Sequence, residues 1–243
     1  FCKEAAIWKC LRHPNITTFC GIDTTHFPLC LVSEWMPHGS VKTYLERNPA
    51  ANRLILLADI SAGLAYLHDI GIMHGDLKCP NILINNLRRA CLSDFGLTAF
   101  DYAGRSDLFV ATTVSANSTR WTAPELLDPE LFGLDHVRLT RASDVYSFGM
   151  VTWEIFTGQF PFRKLRDPVV IRKVCANDRP QRPLEARTFG LCDEVWAMAE
   201  SCWQRDPSQR PSIASVLEQL WAKLEHPESH GPQEPPEWPL NVE

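Results

Sequence analysis

Apolar positions recur at helical spacing along most of the chain and at strand spacing along little of it. Near the start, Glu4, Trp8 and Leu11 share one face with Ile7 beside them, which predicts a helix over residues 1–12. His13-Pro14 closes it, because the residue before a proline is driven out of the helical region. Thr17–Asp23 and Leu29–Glu34 read as short strands, the second an apolar run with a polar end. Pro37 and Gly39 then break the pattern, as a linker would. Val41–Arg47 reads as a short helix and Asn52–His68 as a longer one, with Leu56, Ile60, Leu64 and Leu67 on one face.

In the second half, Ser143-Asp144 opens a helix that runs to Thr157 and stops at Gly158, with Pro161 just beyond. Val145, Phe148, Met150, Val151, Trp153, Ile155 and Phe156 surround that helix with apolar atoms, so it should be buried on most sides. Asp167–Cys175 and Asp193–Trp203 read as two more helices. A last one follows Ser212 as its cap, carrying Ile213, Val216, Leu217, Leu220, Trp221 and Leu224. Past Glu225 the chain is proline-rich with few apolar residues, and residues 225–243 are expected to form a disordered tail. No internal repeat interrupts this order.

Few strands and many helices in 243 residues predict an α+β fold, as one large domain or two lobes. The residues are 45% apolar and 22% charged with a net charge of −5, the balance of an ordinary soluble protein. A nucleic-acid or membrane-surface role would need a clustered basic excess, so neither is expected. No apolar run approaches the roughly 18 residues of a membrane span, and nothing reads as a signal peptide. A cytoplasmic, intracellular protein is the expectation. The nine cysteines are scattered without a Cys-x-x-Cys pair, which points to reduced thiols and not to a zinc site or a disulfide scaffold.

The candidate chemistry lies in His74-Gly75-Asp76-Leu77-Lys78-Cys79-Pro80-Asn81, followed by Ile82-Leu83-Ile84 and by Asp94-Phe95-Gly96. Moving a phosphoryl group onto a hydroxyl needs a base near that hydroxyl, a cation against the phosphate, and oxygen ligands for Mg²⁺. Asp76, Lys78, Asn81 and Asp94 supply one residue type for each task. Asp-Phe-Gly or His-Gly-Asp alone would read as an ordinary turn. Together, in this order and spacing, they resemble the catalytic loop and metal-binding motif of protein kinases, a signature set already known for that family.

The resemblance covers about residues 1–224 and implies a bilobal fold: a truncated small lobe and hinge over 1–36 (one helix and two strands), and a mainly helical lobe over 37–224. It implies that Asp76 orients and deprotonates the acceptor hydroxyl, that Lys78 sits against the γ-phosphate of ATP, and that Asn81 and Asp94 hold Mg²⁺. Ser33 would be the gatekeeper beside the adenine, Glu34 and Met36 would offer hinge backbone groups, and Leu83 would form the floor. Lys3-Glu4, Trp8-Lys9 and His13-Pro14-Asn15-Ile16 resemble the family helix whose glutamate, here Glu4, pairs with a strand lysine.

Asp144 would brace the catalytic loop, or serve as a plain N-cap, or both. Arg210, in Cys202-Trp203-Gln204-Arg205-Asp206-Pro207-Ser208-Gln209-Arg210-Pro211, would pair with Glu125 of Ala123-Pro124-Glu125. The hydroxyl-rich stretch between, with Thr98, Ser106, Thr112, Thr113, Ser115, Ser118 and Thr119, resembles an activation loop. Lys78 is the serine/threonine pattern, while Arg120-Trp121-Thr122-Ala123-Pro124-Glu125 is similar to tyrosine kinases. The mixture fits the tyrosine-kinase-like group, acting on Ser and Thr of a protein substrate.

Two departures matter. Gly75 stands where the family usually has Arg, which removes the usual partner of a loop phosphate. The sequence also begins in the Glu4 helix, without the family's Gly-rich loop and lysine. Two readings follow: part of a complete kinase, weak as this chain alone, or a truncated pseudokinase that acts as a binding module. The strand Leu29–Glu34 would present an unpaired apolar edge, and self-association through it is expected.

Overall fold

The computed structural model describes residues 2–26, 28–94, 99–100, 118–226 and 237–242. Phe95, Gly96, and the expected activation-loop hydroxyls Thr98, Ser106, Thr112, Thr113 and Ser115 lie outside the described residues.

Helix α1 (Cys2–Cys10) packs against a two-stranded antiparallel sheet of β1 (Phe19–Asp23) and β2 (Cys30–Ser33). The helix stops ahead of Pro14 as its sequence dictates, and its buried face is Ile7, Trp8 and Leu11. The Trp8 indole donates to the Thr17 carbonyl at 2.6 Å and fixes the helix to the strand's approach. Ile22 and Val32 of the sheet, and Leu29 just ahead of β2, are exposed.

This unit is tied to the helical body through Asn15 and Thr17. The Asn15 carbonyl accepts from the Leu92 amide and its side chain donates to the Ala90 carbonyl. The Thr17 amide and hydroxyl both donate to the Leu92 carbonyl. Helix α3 (Arg53–Asp69) runs directly beneath: a Cβ on Gly63 would lie 2.7 Å from the Asn15 carbonyl oxygen, so only glycine allows this approach.

After α2 (Val41–Arg47), capped by Ser40, α3 begins at Asn52, whose side chain accepts from the Leu54 and Ile55 amides. Strand β3 (Ile72–Met73) pairs with β6 (Ala99–Phe100), and β4 (Ile82–Ile84) with β5 (Ala90–Leu92). The loop between β3 and β4 carries the candidate chemistry, with a single 3-10 turn at Cys79–Asn81. Beyond lie α4 (Pro124–Leu127), α5 (Arg141–Thr157), α6 (Asp167–Cys175), α7 (Asp193–Cys202) and α8 (Ile213–Glu225). As its apolar circumference predicts, α5 is buried along almost its whole length, and α2, α3 and α7 pack against it.

Two expectations are corrected. The cap of α5 is Thr140, not Ser143 or Asp144: its hydroxyl accepts from the Ser143 amide while the Ser143 hydroxyl takes the Thr140 amide, a reciprocal capping box. Asp144 is thereby freed for other partners.

The tail is not structureless throughout. Residues 227–236 lie outside the described residues, but Trp238 and Leu240 are 7% and 4% exposed and join the core. The Leu240 amide donates to the Thr157 carbonyl at 2.8 Å, and Trp238 lies against Gly158 and the Arg53 guanidinium. Composition pointed to disorder, but two large apolar side chains with a backbone partner are enough to dock so short a segment.

Candidate active site

The residues of the expected catalytic loop are held from below by α5. Asp144, 1% exposed, accepts three hydrogen bonds: from the His68 imidazole (2.8 Å), the His74 amide (2.9 Å) and the Gly75 amide (2.9 Å). A carboxylate suits this position because it only accepts, and two backbone donors face it. Gly75 takes φ 80°, a left-handed conformation that costs a side-chain-bearing residue about 1–2 kcal/mol.

His74 is fully buried. Its Nδ1 accepts from the Asp76 amide, so Nε2 carries the proton and donates to the Ser93 carbonyl. Burial lowers its pKa, against the opposing charges of Asp144, Asp76 and Asp94, and the ring is a neutral spacer. Through it the loop is linked to the strand that leads into Asp94.

Asp76 is buried, with its two oxygens in different situations. Oδ2 receives Lys78 Nζ at 2.9 Å and Asn81 Nδ2 at 3.1 Å. Oδ1 is also buried, and it has no hydrogen-bond partner among the described residues. An unpaired buried carboxylate oxygen is costly unless another donor arrives.

Lys78 Nζ also donates to Ser118 Oγ at 2.7 Å, so the ammonium bridges the loop and the segment before α4. Asn81 spends both protons of its amide on Asp76, on the side chain and on the backbone carbonyl (2.9 Å). That leaves Oδ1 of Asn81 as the atom available to a cation. The Asn81 carbonyl takes both the Ser93 amide and hydroxyl, which sets Asp94 beside it.

Asp94 has φ 63°, a conformation uncommon for a residue with a side chain but tolerated by Asp, and its side chain is exposed. An amide oxygen and an exposed carboxylate fit a hard, oxygen-seeking ion such as Mg²⁺, which takes one or two protein ligands and fills its shell with water and phosphate oxygens.

The other expected residues lie in α1, at the end of β2, in the linker that follows it and in β4. Glu4 is half-buried in α1, and burial, then the charge of Asp94, raise its pKa. Ser33 ends β2 and its hydroxyl donates to the Glu34 carbonyl at 3.4 Å, while the Glu34 amide is paired with the Thr18 carbonyl. Met36 is buried and its carbonyl closes a turn onto the Gly39 amide. Gly39 and His38 hydrogen-bond Ile84 of β4, so the linker and the strand bearing Leu83 are adjacent. Leu83 itself is half-buried, between the fully buried Ile82 and Ile84.

Three contributors were not singled out by sequence as parts of the site: His68, Ser118 and Glu154. Ser118 had been only one of several loop hydroxyls. Its signal was position, a few residues ahead of Ala123-Pro124-Glu125. Glu154 accepts from the Trp121 indole at 2.8 Å and the Cys79 amide at 3.4 Å. Burial pushes its carboxyl up to about 7. Arg120 is spent on the Pro161 and Leu165 carbonyls and on Asp167, so it anchors the segment and is not free for a ligand.

Residues 1–220 match the family model for protein tyrosine and serine/threonine kinases. The chain is 33% identical to serine/threonine-protein kinase CTR1 of Arabidopsis thaliana, over 90% of this chain and 26% of that protein. It is 31% identical to the serine/threonine/tyrosine-protein kinase HT1 of the same plant, over 89% of this chain and 53% of that protein. Ephrin type-A receptor 5 of Rattus norvegicus is 33% identical, over 94% of this chain and 22% of the receptor. The chain thus spans between about a fifth and a half of the length of these relatives.

Proposed function

The chain belongs to the protein tyrosine and serine/threonine kinase family, and from that premise we propose that it transfers the terminal phosphoryl group of ATP to a serine or threonine hydroxyl of a protein. The observation that carries this reading is the asymmetry of Asp76. One oxygen is fixed by Lys78 and Asn81, and the other is buried and has no partner among the described residues. An acceptor hydroxyl donating to Oδ1 would relieve that deficit and stand oriented for attack, with Asp76 taking its proton.

Lys78 Nζ, held between Asp76 and Ser118, would carry positive charge toward the transferred phosphoryl group. Asn81 Oδ1 and the Asp94 carboxylate would hold Mg²⁺. When bound there, that ion would offset the negative charge of the phosphate oxygens. The Glu34 carbonyl and the Met36 backbone would receive the adenine edge, with Ser33 behind it, Leu83 beneath it, and Glu4 facing the phosphates near Asp94. We assign the small lobe to residues 1–36 and the large lobe to 37–224. Serine/threonine selectivity rests on Lys78 and on relatives whose names carry that activity.

The test is phosphate transfer from Mg²⁺-ATP to a generic serine/threonine protein acceptor by the chain and by Asp76→Asn. The substitution should lower turnover by about 10²- to 10⁴-fold while leaving ATP binding intact. Turnover indifferent to Asp76→Asn defeats the proposal. A second reading, a binding module without turnover, draws on Gly75 in place of the family's Arg; it stands if ATP or partner proteins bind and no transfer occurs.

A further inference from the structure

The last carbonyls of a helix have no partner within it, and two of those at the end of α5 find one far along the chain. The Ile155 carbonyl accepts from Arg53 Nε at 3.2 Å, and the Thr157 carbonyl accepts from the Leu240 amide at 2.8 Å. The Leu240 carbonyl in turn accepts from Gln159 Nε2 at 3.3 Å, and Asn241 Oδ1 accepts from Arg163 Nη2 at 3.5 Å. Arg163 Nη1 also donates to Gln159 Oε1 at 3.2 Å. The docked end of the chain thus clasps the loop of residues 158–165 that leads from α5 toward α6.

The same loop is held a second time, by Arg120. Its Nη1 donates to the Pro161 and Phe162 carbonyls and its Nη2 to the Leu165 carbonyl. Phe162, among these contacts, has φ 55°, a left-handed conformation uncommon for a large side chain, which persists only where the surroundings over-determine it. Arg120 belongs to the segment of residues 118–125, and Ser118 at its start accepts from Lys78, which is paired with Asp76. Three pieces of chain are therefore joined in series: the docked end, the strained loop and the segment that borders the expected base.

We propose that residues 238–241 are a positioning element for the acceptor side of the site. Docked, they hold the loop of residues 158–165 in the shape that receives Arg120, and through Arg120 they fix residues 118–125 against Lys78. The proposal rests on the kinase reading for its effect on transfer, while the coupling of the three pieces is a statement about geometry.

The docking is close-fitting, yet built to open locally. Trp238 and Leu240 are buried, but residues 237–242 form no helix or strand, and such pieces lie at the low end of local stability. Trp238 Nε1 is buried with no hydrogen-bond partner among the described residues, so docking gives up a bond to water. When the segment lifts, the Thr157 carbonyl, Gln159 and Arg163 lose their partners together. The strain at Phe162 then favours another loop shape, and the three carbonyls no longer converge on Arg120.

The test compares the full chain with the double variant Trp238→Ala/Leu240→Ala, which removes both buried anchors. The Leu165 amide closes a turn onto Phe162, and the Trp121 and Thr122 amides close turns onto Ser118 and Thr119. All three should exchange with solvent about 2- to 10-fold faster than in wild type. The His74 and Gly75 amides, held by Asp144, should not change, which separates a local release from general loosening. In the transfer assay KM for the protein acceptor should rise about 2- to 10-fold, with kcat and KM for ATP unchanged.

Gln159→Ala/Arg163→Ala opens the clasp without touching the buried anchors. It should shift the same three amides in the same direction, and it decides alone if the first variant fails to fold. Unchanged exchange at Leu165, Trp121 and Thr122 overturns the proposal, as does a loss of protection that spreads equally to His74 and Gly75. An unchanged KM for the acceptor in an active chain overturns the positioning role. If wild type itself transfers no phosphate, the proposed activity fails, and the exchange measurements still decide the coupling.

Discussion

Arg210 grips Glu125 with two parallel hydrogen bonds, Nη1 to Oε1 at 2.7 Å and Nη2 to Oε2 at 2.8 Å, with both side chains almost wholly buried. The fork also takes the carbonyls of Ala142, Gln204 and Arg205, so the approach to α8, the start of α5 and the base of α4 meet at one guanidinium. Its flat, five-donor shape is what permits this. Arg210→Lys should therefore behave as a severe substitution. Removing either partner strands a buried charge, and Arg210→Ala or Glu125→Ala should cost about 3–5 kcal/mol in urea unfolding. A loss below about 1 kcal/mol, the range of surface pairs, would mean the pair is solvated.

Asp144→Asn tests the other anchor of α5. An asparagine has one accepting oxygen where Asp144 uses two against His68, His74 and Gly75. Its amide must point a donor at another donor. The expected loss is about 1–3 kcal/mol, with faster hydrogen exchange at His74 and Gly75. Unchanged protection of those two amides would show that the loop holds its shape without the carboxylate.

Much of this arrangement was legible in sequence. Val41–Arg47 and Asp167–Cys175 have the limits that periodicity gave them. The pairing of Arg210 with Glu125 follows from family motifs. Asp144 was harder, because Ser143-Asp144 imitates a helix cap, and only the position of Thr140 shows that the capping is done elsewhere. Glu154 was invisible: it sits in a run of apolar residues, and its partners are 33 and 75 positions away. Local patterns record what a residue needs from its neighbours in the chain, and both acidic residues of α5 serve distant segments. The docked end of the tail was hidden for a different reason. Trp238 and Leu240 are a small apolar signal inside a proline-rich stretch, and their receptor is made by α3 and the end of α5.

That receptor is close-fitting. Gly158 ends α5 at φ 73°, and a Cβ there would lie 2.7 Å from Pro239 and 2.8 Å from the Trp238 ring. Gly158→Ala should therefore carry two costs, about 1–2 kcal/mol for the left-handed backbone and a further loss from expelling the tail. Trp238→Ala should cost about 3–5 kcal/mol if the segment contributes to the core as a buried aromatic does. In the double variant the expulsion is counted once, so its loss should fall short of the sum of the two single losses. Strict additivity in a thermal or urea series would show that the tail is not held in this groove.

The Glu154 carboxyl makes a pH prediction whose sign can be worked out. Burial raises its pKa to about 7 in the folded chain, against 4.5 for an ordinary glutamate. Between those values the folded state keeps a proton that the unfolded state has released, so stability falls as pH rises through that window and levels off above it. At that shift the effect is about 3 kcal/mol, and the side chain is too buried for solvent to screen it much. His74 acts in the opposite direction: its lowered pKa means the unfolded chain takes up a proton that the folded one refuses, which lowers stability on acidification below about 6.5. The raw profile mixes both, so the informative quantity is the difference between wild type and Glu154→Gln. That difference should favour Glu154→Gln increasingly from about pH 5 to 7 and then stay constant. A difference that is flat over this range would mean that Glu154 is ionised throughout. The chain would then gain nothing in stability by replacing it, and its charge would need no functional explanation.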